Sequence, residues 1–287
     1  MMMQSLAYAG LDRLNEGEWR LHSRFTHAIN FSQADGTLMT FIPHGKGAVP
    51  AGVTLSTRDF ARVQDVTRWV KLRGTLHGEN IMIHLRRKLT LRPASGRLFA
   101  PDLAAYSEHT GLCGSLREIC AQAHASQLLL TGLELWSRGT MPEWHDLLGR
   151  GPGLTPSGDD MLVGALAVLQ TSHFAPQLSH RPFLPPNDQL ITLTTSVSCS
   201  YLNSARGGEF STPVLCVLRR LQRRGDPHRA IRRLLLTGHT SGADMLAGMV
   251  LTLRWLQASD LRREYARSGN STHIYTRSRD REFLASG

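Results

Sequence analysis

The chain has 287 residues, about two domains at a typical ~150 residues each. With 41% hydrophobic and 20% charged residues it is an ordinary globular chain, which excludes collagen, coiled coil and wholesale disorder, and it is long enough to bury a core without disulfides or metals. Lys plus Arg number 33 against 23 Asp plus Glu, a formal charge of +10 carried almost entirely by arginine. That balance favours anions, either small carboxylates and phosphates or an acidic partner.

The N-terminus, MMMQSLAYAGLDRLNEGEW, lacks a basic region followed by an apolar stretch, so it does not read as a secretory signal. The first hundred or so residues read as β. Six short runs, WRLHSRFTHAINF, TLMTFIP, AGVTL, RWVKLRGTL, NIMIHLRR and LTLRP, are separated by turn material such as QADG and PHGKGAVP. Six such runs predict a small barrel or sandwich over residues 1–100.

After Pro101 the spacing becomes helical, through SLREICAQAHASQLLLTGLELW, PEWHDLLG, DDMLVGALAVLQTSHF, DQLITLTTSVSCSYLNSA, TPVLCVLRRLQRR, PHRAIRRLLLTG and GADMLAGMVLTLRWLQ. A Pro-rich linker, residues 174–188, interrupts the series. The expected fold class is α+β: a small β-rich N-terminal barrel or sandwich domain followed by a mostly helical domain with an internal pseudo-repeat. The helical domain covers 101–260, and 261–287, with little apolar periodicity, is expected to be a disordered tail.

The longest apolar runs, 161–169 and 245–253, fall short of the ~18–20 residues a membrane span needs, so a cytoplasmic protein without membrane contact is expected. Cys113, Cys120, Cys199 and Cys216 contain no C-x-x-C pair and read as buried reduced thiols. The arginines of 218–236 lack the interleaved aromatics or recognised fold of a nucleic-acid binder and read as a solvated face. An Arg-rich nucleic-acid-binding or regulatory role is therefore the weakest alternative.

The most informative feature is an internal repeat. Residues 157–164 read SGDDMLVG and 241–248 read SGADMLAG, matching at six of eight positions. Both copies open an apolar helix, and a Thr stands just upstream of each (Thr155, Thr240). Ser157 and Ser241 suit N-caps, and Asp160 and Asp244 fall where a helix dipole favours an acid. Gly164 and Gly248 permit close helix contact. Capping and packing explain each residue singly, but they explain the duplication less well. Nor do they account for GRGPGLTPSGDD, where Gly149, Gly151 and Gly153 precede a helix start in the manner of an anion site.

The doubled Asp159–Asp160 suits a hydrated Mg²⁺ bridging to phosphate, the one cofactor the sequence suggests. A Walker A loop is excluded, because no Gly-Lys-Ser/Thr follows the glycines. In SYLNSARGGEFSTP, Asn203 and Arg206 end an apolar helix; Arg206 can clamp a carboxylate, and a plain surface loop is an equal reading. His239, beside the second repeat, is a candidate acid or base or simply a structural histidine.

At GPGLTPSGDDMLVG and GHTSGADMLAG the chain resembles the AllH family, formerly a bacterial domain of unknown function, which includes a subunit of oxamate carbamoyltransferase in anaerobic allantoin breakdown. HSRFTHAINF is similar to that family's N-terminal H-S-x-F-x-x-A-x-N pattern. The resemblance implies reversible carbamoyl transfer, in which oxalurate plus phosphate gives oxamate plus carbamoyl phosphate, together with FdrA-like and AllG-like subunits. It leaves open a non-catalytic structural or regulatory subunit of the same complex, and also further oligomerisation. The Ser-Thr-Arg-Thr-Arg phosphate loop of familiar carbamoyltransferases is absent.

Under that resemblance Gly153, Thr155, Ser157, Gly158, Ser241 and Gly242 meet anionic oxygens, with Asn203 and Arg206 beside them. Asp160 and Asp244 orient an amine or, with Asp159, a metal ion. His239 completes the candidate catalytic set. Such transfer needs positioning and charge stabilisation more than a covalent nucleophile.

Overall fold

The computed structural model describes residues 1–119 and 123–275, the last fourteen by backbone alone. Among them, nine strands form one mixed sheet: β1 Met2–Gln4, β2 Ala7–Ala9, β3 Gly17–Phe25, β4 Ala28–Ser32, β5 Leu38–Pro43, β6 Gly52–Leu55, β7 Arg68–Leu72, β8 Thr75–His77 and β9 Met82–His84. Their spatial order is β1-β9-β8-β7-β3-β4-β5-β6-β2. The outermost strands in that order, β1 and β2, are separated in sequence by only Ser5 and Leu6, so the sheet must curl round until its ends meet. The Ser5 amide donates to His84 O on one side (3.0 Å) and the Leu6 amide to Thr54 O on the other (2.8 Å). The segment after β9 then runs along β2, with Tyr8 N to Arg87 O at 3.2 Å and Leu89 N to Tyr8 O at 2.8 Å.

The interior of this barrel-like sheet is aromatic. Trp19, Phe31, Phe41 and Trp69 are fully buried, and Phe41 lies 5.1 Å from Phe31 and 5.3 Å from Trp69 between ring centroids. β7 alternates exposed and buried as a half-covered strand should. Every residue of β5 and β6 is buried, because helices cover their outer face.

Nine α-helices are described: α1 Thr57–Arg62, α2 His124–Ser137, α3 Ser157–Thr171, α4 Ala175–Leu178, α5 Asn187–Leu193, α6 Ser196–Arg206, α7 Thr212–Gln222, α8 His228–Leu235 and α9 Ser241–Tyr275. α3 and the start of α9 are apolar all round and form the centre of the helical part, as buried helices are expected to. The backbone of α9 continues past residue 260, where the sequence predicts a disordered tail; residues 276–287 of that tail lie outside the described residues. Cys113 and Cys199 are buried free thiols and Cys216 is a partly buried one, while Cys120 lies outside the described residues.

Several local expectations change. WRLHSRFTHAINF is two strands joined at Thr26–His27, and the β1–β2 pair was not legible as strand. LTLRP is irregular, and PEWHDLLG forms turns. The Pro-rich segment 174–188 is a packed element. Phe174 and Phe183 are buried against Trp136, and the indoles of Trp136 and Trp144 donate to Arg181 O (3.1 Å) and Phe183 O (2.6 Å). The single helix expected over 188–205 breaks at Thr194, and the Thr195 hydroxyl caps α6 by accepting from Ser198 N.

Candidate functional site

The two repeats meet. A Cβ on Gly164 would lie 2.0 Å from Met245 O, and a Cβ on Gly248 would lie 2.0 Å from Met161 O. Met161 and Met245 are the same position of the two copies, as are Gly164 and Gly248. α3 and α9 therefore cross about a pseudo-twofold axis, each glycine lying on the other copy's methionine carbonyl. No other residue allows so close a backbone approach.

The same symmetry extends to the polar ends. Gly158 abuts Leu147 O and Gly242 abuts Leu234 O, where a Cβ would come within 1.9 Å and 2.1 Å. Upstream, Gly151 and Gly238 have φ of 115° and 63°, and each faces the serine of its own copy. Across the axis, the Thr155 and Ser241 hydroxyls are 2.9 Å apart, and both favour the charged form of Asp160. Ser157 and Thr240 do the same for Asp244, whose Oδ1 also accepts from the Gly111 amide at 2.8 Å.

Ser157, Asp159, Asp160 and Asp244 are each at most 3% exposed. Burial raises the pKa of all three carboxyls. Asp160 is raised well above the ordinary range, with the negative charges of Asp244 and Asp159 adding to the burial. Burial and the nearby Asp160 also push the Tyr201 phenol up to about 12. Both Asp159 oxygens are engaged: Oδ1 accepts from the Gly149 amide at 2.8 Å and Oδ2 from the Thr194 hydroxyl. Asp160 Oδ2, Asp244 Oδ2 and Ser157 Oγ, by contrast, are sealed from solvent without a well-aligned hydrogen bond, although the neighbouring hydroxyls lie close enough to favour the charged carboxylates. Among the described residues no three His, Cys, Asp or Glu side chains gather as metal ligands.

The serines expected as N-caps sit at the first helical position. Pro156, in extended conformation, precedes Ser157 as the cap of α3, which leaves the serine hydroxyl pressed towards Gly111. The Gly158 amide is given to Arg150 O (2.9 Å) and the Gly242 amide to Thr237 O (3.0 Å). Asn203 donates to Asn187 Oδ1 at 2.6 Å and Arg206 donates to Pro185 O, so both are turned to the start of α5 and the residues just before it. Gly153 is exposed with φ 85°, and His239 is exposed beside the second copy. The structure thus gathers Thr155, Ser157, Asp160, Ser241 and Asp244 into one cluster, while Gly153 and His239 are exposed in the loops before it. An open groove of about 920 Å³, lined by Arg97, Phe99, His173 and Leu253, shares no residue with it.

Sequence reasoning missed Thr194 and Tyr201, which a helix read straight through 188–205 hides. It also missed the junction between barrel and helices. There His22 Nε2 lies 2.8 Å from Ser196 Oγ, Ala48 and Thr212 exchange two hydrogen bonds (2.8 and 3.0 Å), and Arg233 donates to Gly45 O (3.1 Å).

A curled N-terminal sheet leading into a helical part built on a duplicated S-G-x-D crossing defines a two-part α+β protein with one internally symmetric polar cluster. Residues 4–95 match the AllH family N-terminal domain, and residues 147–253 match the oxamate carbamoyltransferase subunit AllH. The chain belongs to the AllH family. No solved structure matches it. No helix among the described residues is long and apolar enough to cross a membrane.

Proposed function

We propose that this chain contributes the substrate site for carbamoyl transfer in an oxamate carbamoyltransferase, interconverting oxalurate plus phosphate with oxamate plus carbamoyl phosphate in ureide breakdown in the cytoplasm. It acts with FdrA-like and AllG-like subunits. The observation that carries this reading is the convergence of both S-G-x-D copies on one cluster in which Ser157, Asp160 and Asp244 are buried side by side. Buried carboxyls whose pKa values are raised by burial and by one another cluster at functional sites.

In this reading Gly153, Thr155 and Ser241 meet the anionic substrates, with His239 as the acid or base. Asp160 stands behind them and fixes the Thr155 and Ser241 hydroxyls, and Asp244 fixes those of Ser157 and Thr240. Gly158 and Gly242, whose amides are already committed, serve to bring the backbones together. Asn203 and Arg206 support α6 from the 185–187 side. Mg²⁺, where it enters, is held by Asp160 and Asp159, whose oxygens keep lone pairs beyond the bonds to Gly149 and Thr194.

The burial of the carboxyls favours a second reading, in which the crossing is purely architectural and the chain is a non-catalytic subunit. Thermal-shift titration with carbamoyl phosphate, phosphate, oxamate and oxalurate, with and without Mg²⁺ and the partner subunits, separates the two. A ligand at 100 times its dissociation constant adds about 2.7 kcal/mol. The substrate-site reading expects that shift in the wild type and its loss in Ser241→Ala. The architectural reading expects either no shift or one indifferent to Ser241.

A further inference from the structure

We propose that Ser196 is a carbamoyl-accepting nucleophile activated by His22, so that transfer proceeds through a carbamoyl-serine. The proposal deepens the carbamoyl-transfer reading and rests on it. Ser196 is the first residue of α6, and its Oγ lies 2.8 Å from His22 Nε2 across the junction between barrel and helices. His22 Nδ1 in turn lies 3.0 Å from Ser23 Oγ. Ser23 Oγ accepts from Asn30 Nδ2 at 2.9 Å, and Asn30 Oδ1 accepts from Thr40 Oγ1 at 2.8 Å. The chain Ser196–His22–Ser23–Asn30–Thr40 thus runs from an accessible hydroxyl into the buried barrel wall, where Asn30 is 5% exposed. A nucleophile, a base and a group that orients the base is the arrangement that activates a hydroxyl.

The backbone is shaped for this contact. β3 and β4 pair Leu21 with Phe31 and then Ser23 with Asn30, so His22 is the extra residue of a β-bulge. Bulges re-aim a side chain, and here the side chain reaches out of the barrel to α6. On the other side, the Thr195 hydroxyl, which accepts from Ser198 N, also donates to Leu154 O in the Gly-rich loop at 2.5 Å. Ser196 is therefore tied through its neighbour to the loop that carries Gly153 and Thr155. The amides of Ser196 and Val197, in the first turn of α6, have no carbonyl partner within the helix, as first-turn amides do not.

With the proton of His22 on Nδ1, donated to Ser23, Nε2 accepts from Ser196. Ser196 Oγ attacks the carbamoyl carbon of carbamoyl phosphate, and an Oγ–C bond forms. His22 takes the hydroxyl proton, the C–O bond to phosphorus breaks with its electron pair, and phosphate leaves with that proton. The oxamate amide nitrogen then attacks the same carbon and gives one proton to His22. An N–C bond forms, the C–Oγ bond breaks, and His22 returns the proton to Oγ. The products are oxalurate and free serine, and every step is reversible.

The test uses the assembled complex. A covalent intermediate predicts that labelled inorganic phosphate exchanges into carbamoyl phosphate with no oxamate present. Ser196→Ala should abolish this exchange, and His22→Gln, which keeps a donor near Ser196 but no base, should slow it ~10²–10⁴-fold. Acid quench should leave one carbamoyl group on the peptide containing Ser196, absent in Ser196→Ala. Both side chains lie at the surface, and an unchanged melting temperature would show that the variants fold. Overall transfer without exchange, or exchange that survives Ser196→Ala, overturns the nucleophile and leaves the carbamoyl-transfer reading standing. Wild-type complex with no overall transfer overturns both.

Discussion

The two copies of S-G-x-D-M-L-x-G share a crossing and differ in their approaches. In both, the eighth-position glycine lies against the partner's methionine carbonyl, and the fourth-position aspartate is buried at the axis. The third position differs. Asp159 in the first copy anchors the Gly149 amide and the Thr194 hydroxyl, whereas Ala243 in the second copy is buried with nothing to anchor. The second approach, GHT, is short and needs no such tie. The first is the longer Gly-rich loop, and Asp159 fixes its base against the start of α6. The shared positions therefore make the axis, and the unshared one fastens a loop.

The crossing is the place to break this comparison hardest. Gly164→Val and Gly248→Val each force a side chain into a carbonyl, and denaturant titration should find each destabilised by at least the ~1–3 kcal/mol typical of overpacking. The twofold predicts losses of similar size for both. If one variant tolerates valine, the two contacts are not equivalent.

Asp159→Ala converts the first copy to the second at its only polar difference. It strips the Gly149 amide and Thr194 hydroxyl of their acceptor, with an expected cost of about 1 kcal/mol for each half-buried hydrogen bond lost. Hydrogen exchange should rise through 149–155 and stay unchanged at 237–243. Uniform exchange over both loops would mean that Asp159 is not the fastening.

Much of this was legible in the sequence. The repeat named both helices, the shared glycines announced close contact, and the change from period two to period 3.6 near residue 100 divided strand from helix. What stayed hidden depends on pairs distant in sequence. The β1 and β2 strands, MMQ and AYA, have little β-branched character and exist because the sheet ends meet over them. The break at Thr194 is a capping choice within an unbroken apolar run. Engagement of both oxygens of Asp159 but not of Asp160 follows from which neighbours each faces, and identical adjacent side chains carry no sign of that. His22 could be quoted as part of a pattern, but its partner Ser196 lies 174 positions away.

The pH dependence of stability sharpens the comparison at the aspartates. The folded pKa of Asp160 is raised well above its unfolded value, and that of Asp244 is raised too. The folded state therefore binds protons more tightly. Stability is fullest below the unfolded pKa of about 4 and falls as pH rises through the folded value, because ionised carboxylates are held away from water. Asp160→Asn removes this titration. Its melting temperature relative to wild type should climb across the window above pH 4, and Asp244→Asn should show the same trend more weakly. An Asp160→Asn curve parallel to wild type would place the Asp160 charge in contact with water or a cation.

The smallest expected effect tests the one direct hydroxyl contact across the axis. Thr155→Val and Ser241→Ala each remove half of the 2.9 Å pair. Both side chains are half-buried, so the loss should be the ~0.5–1.5 kcal/mol of an ordinary hydrogen bond. The double variant should lose less than the sum of the two, because a single interaction is removed twice. Full additivity would mean that each hydroxyl acts independently on Asp160, and the crossing would then be joined by its glycines alone.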